Sequence, residues 1–345
     1  IKSSAASDVY KRQDNMVKYI IKRILYAILI LFFVSLLIYI LVRLLPADYI
    51  DNKFAPQLAQ GSMTQADIDA IKEKYGLLDN SFWGIISGYF TWLGNLFRLD
   101  LGMSFKFERP VAEVIGDYMW ISFGIALVAM VLQFLIAIPL GILSATHQYS
   151  PLDYGVTVFT MIGISLPSFF LATLLIKVFV YELGWIPSIG MVDPGASYTG
   201  LAYIGDVLLH CILPVATLVI INVGSLMRYS RTNTLEVLNA DYVRTARAKG
   251  LSEHTVIYKH VFRNTMIPIV TMLAGTLPNL FGGAMITEQV FGLEGIGAKA
   301  YQALKEGDIP FIMAYNMFLA ILTVIGTLLS DLAYAVVDPR VKLTK

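Results

Sequence analysis

The histidines, serines and glycines of this 345-residue chain lack the spacing that common enzyme and metal sites need. Its four histidines, His147, His210, His254 and His260, do not recur at metal-ligand intervals. The segment GISLP (163–167) is not a nucleophile elbow, which needs a glycine two residues after the serine. A Gly-x-x-x-x-Gly-Lys-Ser/Thr phosphate loop does not occur in the sequence. The sequence therefore predicts no catalytic residue, no metal site and no cofactor bound by this chain.

The composition indicates a protein dissolved in lipid. Hydrophobic residues make up 57% of the chain and charged residues 15%, and the mean hydropathy is +0.66. Soluble domains are more polar than this. The single cysteine, Cys211, lies in an apolar segment and allows no intrachain disulfide. We expect an all-α integral membrane protein whose partners include membrane lipid and exclude nucleic acid.

Six apolar runs are long enough to cross a bilayer as helices, which takes about 20 residues. They cover 24–42, 120–145, 155–181, 207–227, 267–287 and 311–336. Lys and Arg concentrate just before the first run and in the loop 228–266, whereas 182–206 carries three acids and no Lys or Arg. The positive-inside rule then places both termini and the loop 228–266 in the cytoplasm of a multi-pass cell-membrane protein.

The predicted organisation has four parts. Residues 1–15 are polar and precede Met16, and we interpret them as a disordered or non-native leader, with a short native tail as the alternative. Residues 16–119 hold the first span and a long extracytoplasmic loop. Residues 120–337 hold the other five spans, and 338–345 form a cytoplasmic tail.

The long outer loop contains two predicted helices. One follows Thr64, a good N-cap residue, and stops at Gly76. The other, in the aromatic segment 81–97, is more typical of an interfacial or packing helix than of a ligand site.

The polar segment 240–264 predicts two short helices joined by a turn. Asp241 is expected to cap the first helix, Gly250 to supply a left-handed turn residue, and Ser252 to cap the second helix. On the first helix Tyr242, Ala246 and Lys249 are spaced three or four residues apart and so lie in one row along the helix surface. Val243 and Arg247 form an adjacent row. Small and apolar side chains beside positive charge favour insertion into a groove of a partner, whereas composition alone favours a passive basic loop.

The order of residues in this segment resembles a known family. The sequence DYVRTARAKGL (241–251), followed by HVFRN (260–264) and a proline, is similar to the coupling loop of ABC-transporter permeases in the dipeptide and oligopeptide family. It departs from the general permease signature at two places. Arg244, Thr245 and Ala246 replace Glu-Ala-Ala, and Arg263-Asn264 replaces the Leu-Pro that usually closes the signature. Both departures resemble the peptide-permease version. Matching segments extend over nearly the whole chain from Met16: LVRLLPAD, TWLGNLFRLDLGMS, IPLGILSA, ISLPSFF, LGWIPSIG, EQVFGLEGIG and DLAYAVVDPRV.

The resemblance implies an ABC type-1 transmembrane domain with six helices and a cytoplasmic coupling helix. It further implies a peptide importer in which this chain pairs with a second permease, expected to be a different one, two ATPase subunits that bind ATP and Mg²⁺, and an extracytoplasmic substrate-binding protein. The resemblance leaves the substrate-binding residues undefined. The residues that it assigns to ATPase coupling are Asp241, Tyr242, Arg244, Thr245, Ala246, Arg247, Lys249, Gly250 and Leu251.

Two alternatives remain open at this point. The first is an ion-coupled secondary transporter or a channel, although no array of intramembrane Asp, Glu or His indicates an ion relay. The second is an ABC importer whose substrate is a nickel chelate or glutathione.

Overall fold

The computed structural model of the chain describes residues 2–45, 49–187, 189–195 and 197–337. Within these ranges it is helical and contains no β-strand, only an isolated bridge between Met103 and Pro110. The predicted tail 338–345 lies outside the described residues. In chain order the helices are α1 (Lys2–Arg43), α2 (Tyr49–Ala59), α3 (Gln65–Lys74), α4 (Phe82–Phe97), α5 (Val111–Thr146), α6 (Pro151–Ser165), α7 (Ser168–Leu175, extended by a π-helix over Ile176–Glu182), α8 (Leu201–Leu238), α9 (Asp241–Ala248), α10 (Glu253–Thr255, extended by a π-helix over Val256–Val261), α11 (Phe262–Ala274), α12 (Leu277–Phe281), α13 (Met285–Phe291), α14 (Ile296–Lys305) and α15 (Ile309–Val337).

The chain forms two compact units. Of the described residues, those up to 117 and those in 300–324 belong to the first unit, and those in 118–299 and 325–337 belong to the second. The backbone of the predicted leader is helical from Lys2 onward, as part of α1. Whether residues 1–15 belong to the working protein stays a prediction, as does the four-part division of the chain.

Four helices among the described residues are long and apolar enough to cross a membrane. They are Ile20–Arg43 within α1, all of α5 and α8, and Ile309–Leu332 within α15. A fifth crossing is possible if α6 and α7 with its π-helix count as one span, although the two parts are bent by 104°. The bend falls at Pro167, because a residue before proline, here Leu166, is driven into an extended conformation (φ −82°, ψ 129°). The predicted run 155–181 is therefore a broken helix.

The predicted span 267–287 is divided in the structure. Three short helices, α11, α12 and α13, together cover 262–291, which includes this run. The breaks coincide with Gly275 and with the pair Gly282-Gly283, of which Gly283 adopts a left-handed φ of +71°. Hydropathy alone did not distinguish this chain of short helices from a single span.

A buried carboxylate in the second unit satisfies the backbone around these breaks. Glu288 on α13 is only 2% exposed. Its Oε1 accepts hydrogen bonds from the Ser122 hydroxyl (2.6 Å) and the Ala284 amide (3.1 Å), and its Oε2 accepts one from the Ala298 amide (2.9 Å). The Ser122 oxygen in turn accepts the amide of Ile296 at 2.9 Å. Glu288 and Ser122 together thus accept three backbone amides, those of Ala284, Ile296 and Ala298.

The segment 49–117 in the first unit confirms two local predictions. Thr64 caps α3 in a capping box. The Thr64 side chain accepts the amide of Asp67, and the Asp67 side chain accepts the amide of Thr64. The hydrogen bonds from Thr64 hold the pKa of the Asp67 carboxyl below its usual range. Gly76, with φ +65°, ends the helix in the left-handed conformation. The aromatic helix α4 packs one face on α1, where the Tyr89 and Ser35 hydroxyls lie 2.8 Å apart.

Replacing Glu288 by Gln tests whether the carboxylate holds α13 in place. We expect Glu288→Gln to lower the free energy of unfolding by about 2–3 kcal/mol, because an amide nitrogen in place of Oε2 would face the Ala298 amide as donor against donor. The measurement is the thermal unfolding midpoint of the detergent-purified protein. Glu294→Gln is the matched control, since the side chain of Glu294 is 65% exposed and its ion pair with Lys299 is long, at 3.5 Å. Equal midpoints for the two variants would contradict the role given to Glu288.

Candidate functional site

The basic segment forms a helical hairpin at the end of α8. The helix α8 continues to Leu238, beyond the predicted run, and two residues separate it from α9. The prediction that Asp241 caps α9 is wrong: the capping position belongs to Ala240, which is extended (φ −72°, ψ 146°) and makes no side-chain cap bond. Asp241 is instead the first helical residue, where a carboxylate interacts favourably with the helix dipole.

The turn after α9 confirms the prediction for Gly250. This residue has φ +77°, and a Cβ built on it would have open space around it, so the backbone conformation alone selects glycine. The Gly250 amide donates to the Arg247 carbonyl (2.9 Å), and the Leu251 amide donates to the Ala246 carbonyl (3.4 Å). This pair of bonds is a Schellman motif, which satisfies carbonyls at the end of the helix.

The second arm of the hairpin begins where predicted. The Ser252 hydroxyl accepts the amide of Thr255, which caps α10. From Glu253 the helical backbone runs through the π-helix Val256–Val261 into α11 and ends only at Ala274. The hairpin is therefore joined to the following apolar helix without an irregular break.

A small apolar cluster holds the two arms together. Val243 and Ala246 on α9 pack with Val256 and Val261 on the second arm, and all four are buried. Ala246 is 5% exposed. The predicted row of Tyr242, Ala246 and Lys249 is thus divided, because Ala246 faces the interior of the hairpin while the other two are exposed. Any part that Ala246 takes in docking would be indirect, through the position of α9.

The remaining predicted residues form one exposed surface, which we call the hairpin face. Its charges are partly paired within the hairpin. Arg247 Nε lies 2.8 Å from Glu253 Oε1, and Arg244 lies 3.9 Å from Asp241. The hairpin face consists of Asp241, Tyr242, Arg244, Thr245, Arg247, Lys249, Gly250 and Leu251.

An ion pair braces α8 on the approach to the hairpin. The Arg231 guanidinium donates to both carboxylate oxygens of Asp153, at 3.0 and 2.9 Å, and the Ser144 hydroxyl donates to the same carboxylate. Asp153 is nearly buried, and bidentate contact fixes the orientation of the guanidinium. These contacts tie the end of α5 and the start of α6 to the part of α8 that leads into the hairpin.

One group of residues escaped the sequence reasoning. Asp193, Asp206 and His210 come together at the beginning of α8, with one potential ligand atom from each lying within 4.8 Å of the others. The four-residue interval between Asp206 and His210 was a usable signal, since it places both on one helix face. Asp193 comes from a separate loop, and its approach is visible only in three dimensions.

The apolar cluster generates a prediction about the hairpin's stability. Val243→Ala should destabilise the closed hairpin by about 2 kcal/mol through loss of buried methyl groups. Hydrogen–deuterium exchange of the amides in 241–261 is expected to accelerate by about tenfold or more. The exposed Lys259→Ala on the second arm is the control and should leave exchange unchanged. Matching exchange rates in the two variants would mean that the cluster does not hold the arms together.

Comparisons with known proteins place the chain in a transport family. The family described as "Binding-protein-dependent transport system inner membrane component" matches residues 137–343. The oligopeptide transport system permease protein AppB of Bacillus subtilis (strain 168) is 37% identical over 95% of this chain and 100% of its own length. The dipeptide transport system permease protein DppB of Alkalihalophilus pseudofirmus is 33% identical with the same coverage.

A solved structure has the same fold. A chain of the MetNI methionine ABC transporter, in an inward-facing conformation, aligns with a TM-score of 0.52 and 18% sequence identity. The alignment covers 66% of this chain and 98% of that one.

Proposed function

Since the chain belongs to the family of binding-protein-dependent transport system inner membrane components, we propose that it is a permease subunit lining the path of an ABC importer for peptides. The names of its relatives support the substrate class, because they are oligopeptide, dipeptide and peptide permeases over 94–95% of this chain. Like these relatives it is a multi-pass membrane protein. We assign it no enzymatic step.

The proposed topology has six crossings with both termini in the cytoplasm. Four are the long helices, the fifth is the bent pair α6–α7, and the sixth is the broken run α11–α13. Broken helices are tolerated at membrane depth where neighbouring groups satisfy the backbone, as Glu288 and Ser122 do here. The basic residues just before the apolar run 24–42 of α1 and those around the hairpin support this orientation.

The energy source in this proposal belongs to partner proteins. The chain carries no phosphate-loop sequence, so ATP and Mg²⁺ would be bound by two ATPase subunits. A second permease would complete the path, and an extracytoplasmic protein would deliver the peptide. This chain would therefore convert movement of the ATPases into a change of access.

The hairpin face is the observation that carries this proposal. Its residues are exposed and include three cations, Arg244, Arg247 and Lys249, against one acid. By contrast, Val243 and Ala246 are turned inward and hold the hairpin closed. A partner that pushes on this face would move α9 as a rigid body, because the Schellman turn and the apolar cluster leave it no independent freedom. The second arm is continuous with α11, so the displacement would reach the apolar run without a flexible joint.

Charge reversal on the hairpin face tests the proposed docking. The double variant Arg244→Glu with Lys249→Glu should retain no more than about a tenth of the ATPase that co-purifies with the wild-type permease, because like charges across an interface cost several kcal/mol. Uptake of a labelled oligopeptide by cells that carry the complete system should fall with it. Both quantities are measured after mild-detergent affinity purification and in intact cells.

The matched control reverses one exposed charge in the other unit. Arg98 follows α4 and is far along the chain from the hairpin. We expect Arg98→Glu to leave both the recovery of ATPase and the uptake of peptide at wild-type levels. Hydrogen–deuterium exchange over 241–261 checks that the double variant still folds its hairpin. If a folded double variant recovers ATPase and transports as the wild type does, the hairpin face is not the docking site. If the wild-type protein recovers no ATPase at all, a secondary transporter becomes the better explanation.

A further inference from the structure

Three side chains near the start of α8 enclose a position suited to a cation. Asp206 and His210 lie one turn apart on α8, and Asp193 approaches from the segment 189–195. The side chain of His210 is fully enclosed and that of Asp206 nearly so, whereas the side chain of Asp193 is 43% exposed. The position is therefore buried on the side of α8 and open to solvent on the side of Asp193.

The hydrogen bonds of His210 define which of its nitrogens is available. Its Nδ1 lies 2.9 Å from the carbonyl oxygen of Asp206. A carbonyl only accepts, so Nδ1 carries the hydrogen and donates it. In the neutral ring the other nitrogen, Nε2, then presents a lone pair. This nitrogen is buried and has no hydrogen-bond partner among the described residues.

The available nitrogen faces another electron-pair donor. Asp193 Oδ1 lies 3.7 Å from His210 Nε2. Two atoms that both present lone pairs to each other repel, and an unpaired buried nitrogen is itself unfavourable. An electrophile between them, either a proton or a metal ion, removes both costs.

The spacing fits a metal ion. Zinc binds imidazole nitrogen and carboxylate oxygen at about 2.0–2.2 Å, so a tetrahedral ion holds two such ligands roughly 3.4 Å apart. The observed 3.7 Å requires only a small adjustment. The carbonyl that holds Nδ1 also orients the ring, as outer partners of metal-binding histidines do. The Asp206 carboxylate supplies a further oxygen and already accepts the Asp193 amide at 2.9 Å, which keeps the loop against α8.

We propose that Asp193, Asp206 and His210 form a binding site for a divalent transition-metal ion of the Zn²⁺ class. The ligands are His210 Nε2 and one oxygen from each carboxylate, with water at the remaining position on the open side of Asp193. An imidazole ligand favours Zn²⁺ and its neighbours over Mg²⁺ or Ca²⁺, which prefer all-oxygen sites. The bound ion links the segment 189–195 to α8, and the same segment contacts α13, where the Gly190 amide donates to the Phe291 carbonyl at 2.9 Å.

The test is a direct binding measurement on the full chain, independent of transport. The protein is purified in detergent with a tag that contains no histidine, stripped with a chelator, and titrated with ZnCl₂ by calorimetry. Bound metal is counted by mass spectrometry after dialysis. We expect one Zn²⁺ per chain and a higher thermal unfolding midpoint with Zn²⁺. Excess Mg²⁺ or Ca²⁺ should not displace the ion.

Variants assign the binding to these residues. Asp193→Asn and His210→Gln should each weaken Zn²⁺ binding at least tenfold, whereas the exposed His147→Gln should not. His210 is buried, so its variant could fail to fold; Asp193 lies half exposed in a loop, and its variant then carries the test. Absence of saturable binding to the wild type would overturn the proposal in favour of a proton held between His210 and Asp193. Equal affinity of the wild type and Asp193→Asn would overturn it as well.

Discussion

The exclusion of water from the hydrocarbon region is the constraint on which the rest of this structure depends. Each break in a membrane helix frees amide and carbonyl groups that lipid cannot satisfy. At the breaks between α11 and α14, which the proposed topology places in the membrane, the Glu288 carboxylate and the Ser122 hydroxyl accept three backbone amides. A cavity or an unpaired amide at this place would leave α13 without a defined position. One buried carboxyl side chain therefore permits a short helix to exist where a long one would otherwise be required.

The same constraint explains which features the sequence could predict. Apolar runs of the required length correctly indicated the continuous helices α1, α5, α8 and α15, because side-chain hydrophobicity alone determines whether such a helix is soluble in lipid. The bend at Pro167 and the breaks at Gly275 and Gly283 depend on the backbone, to which a hydropathy average is blind. Glu288 could be seen in the sequence only as an acid near an apolar run. Its partner Ser122 comes from α5, which is distant along the chain.

The candidate site shows the same division on a smaller scale. The turn at Gly250 and the cap at Ser252 follow from local chemistry and were predictable. The cap assigned to Asp241 was wrong because its position depends on where α8 ends, and α8 runs further than its apolar residues indicate. The burial of Ala246 needed knowledge of the second arm. The approach of Asp193 to His210 likewise needed a loop that no periodicity describes.

The residues that hold the hairpin in its fold are different from the residues exposed on its surface. Val243, Ala246 and the turn around Gly250 depend on each other, whereas the charged side chains of the hairpin face have contacts only at its surface. Substitutions on that face can therefore accumulate one at a time without passing through an unfolded intermediate. Under the proposed docking, related permeases can share this scaffold while diverging in the ATPase that they bind, and exchanging a few surface side chains would redirect one permease to the ATPase of another.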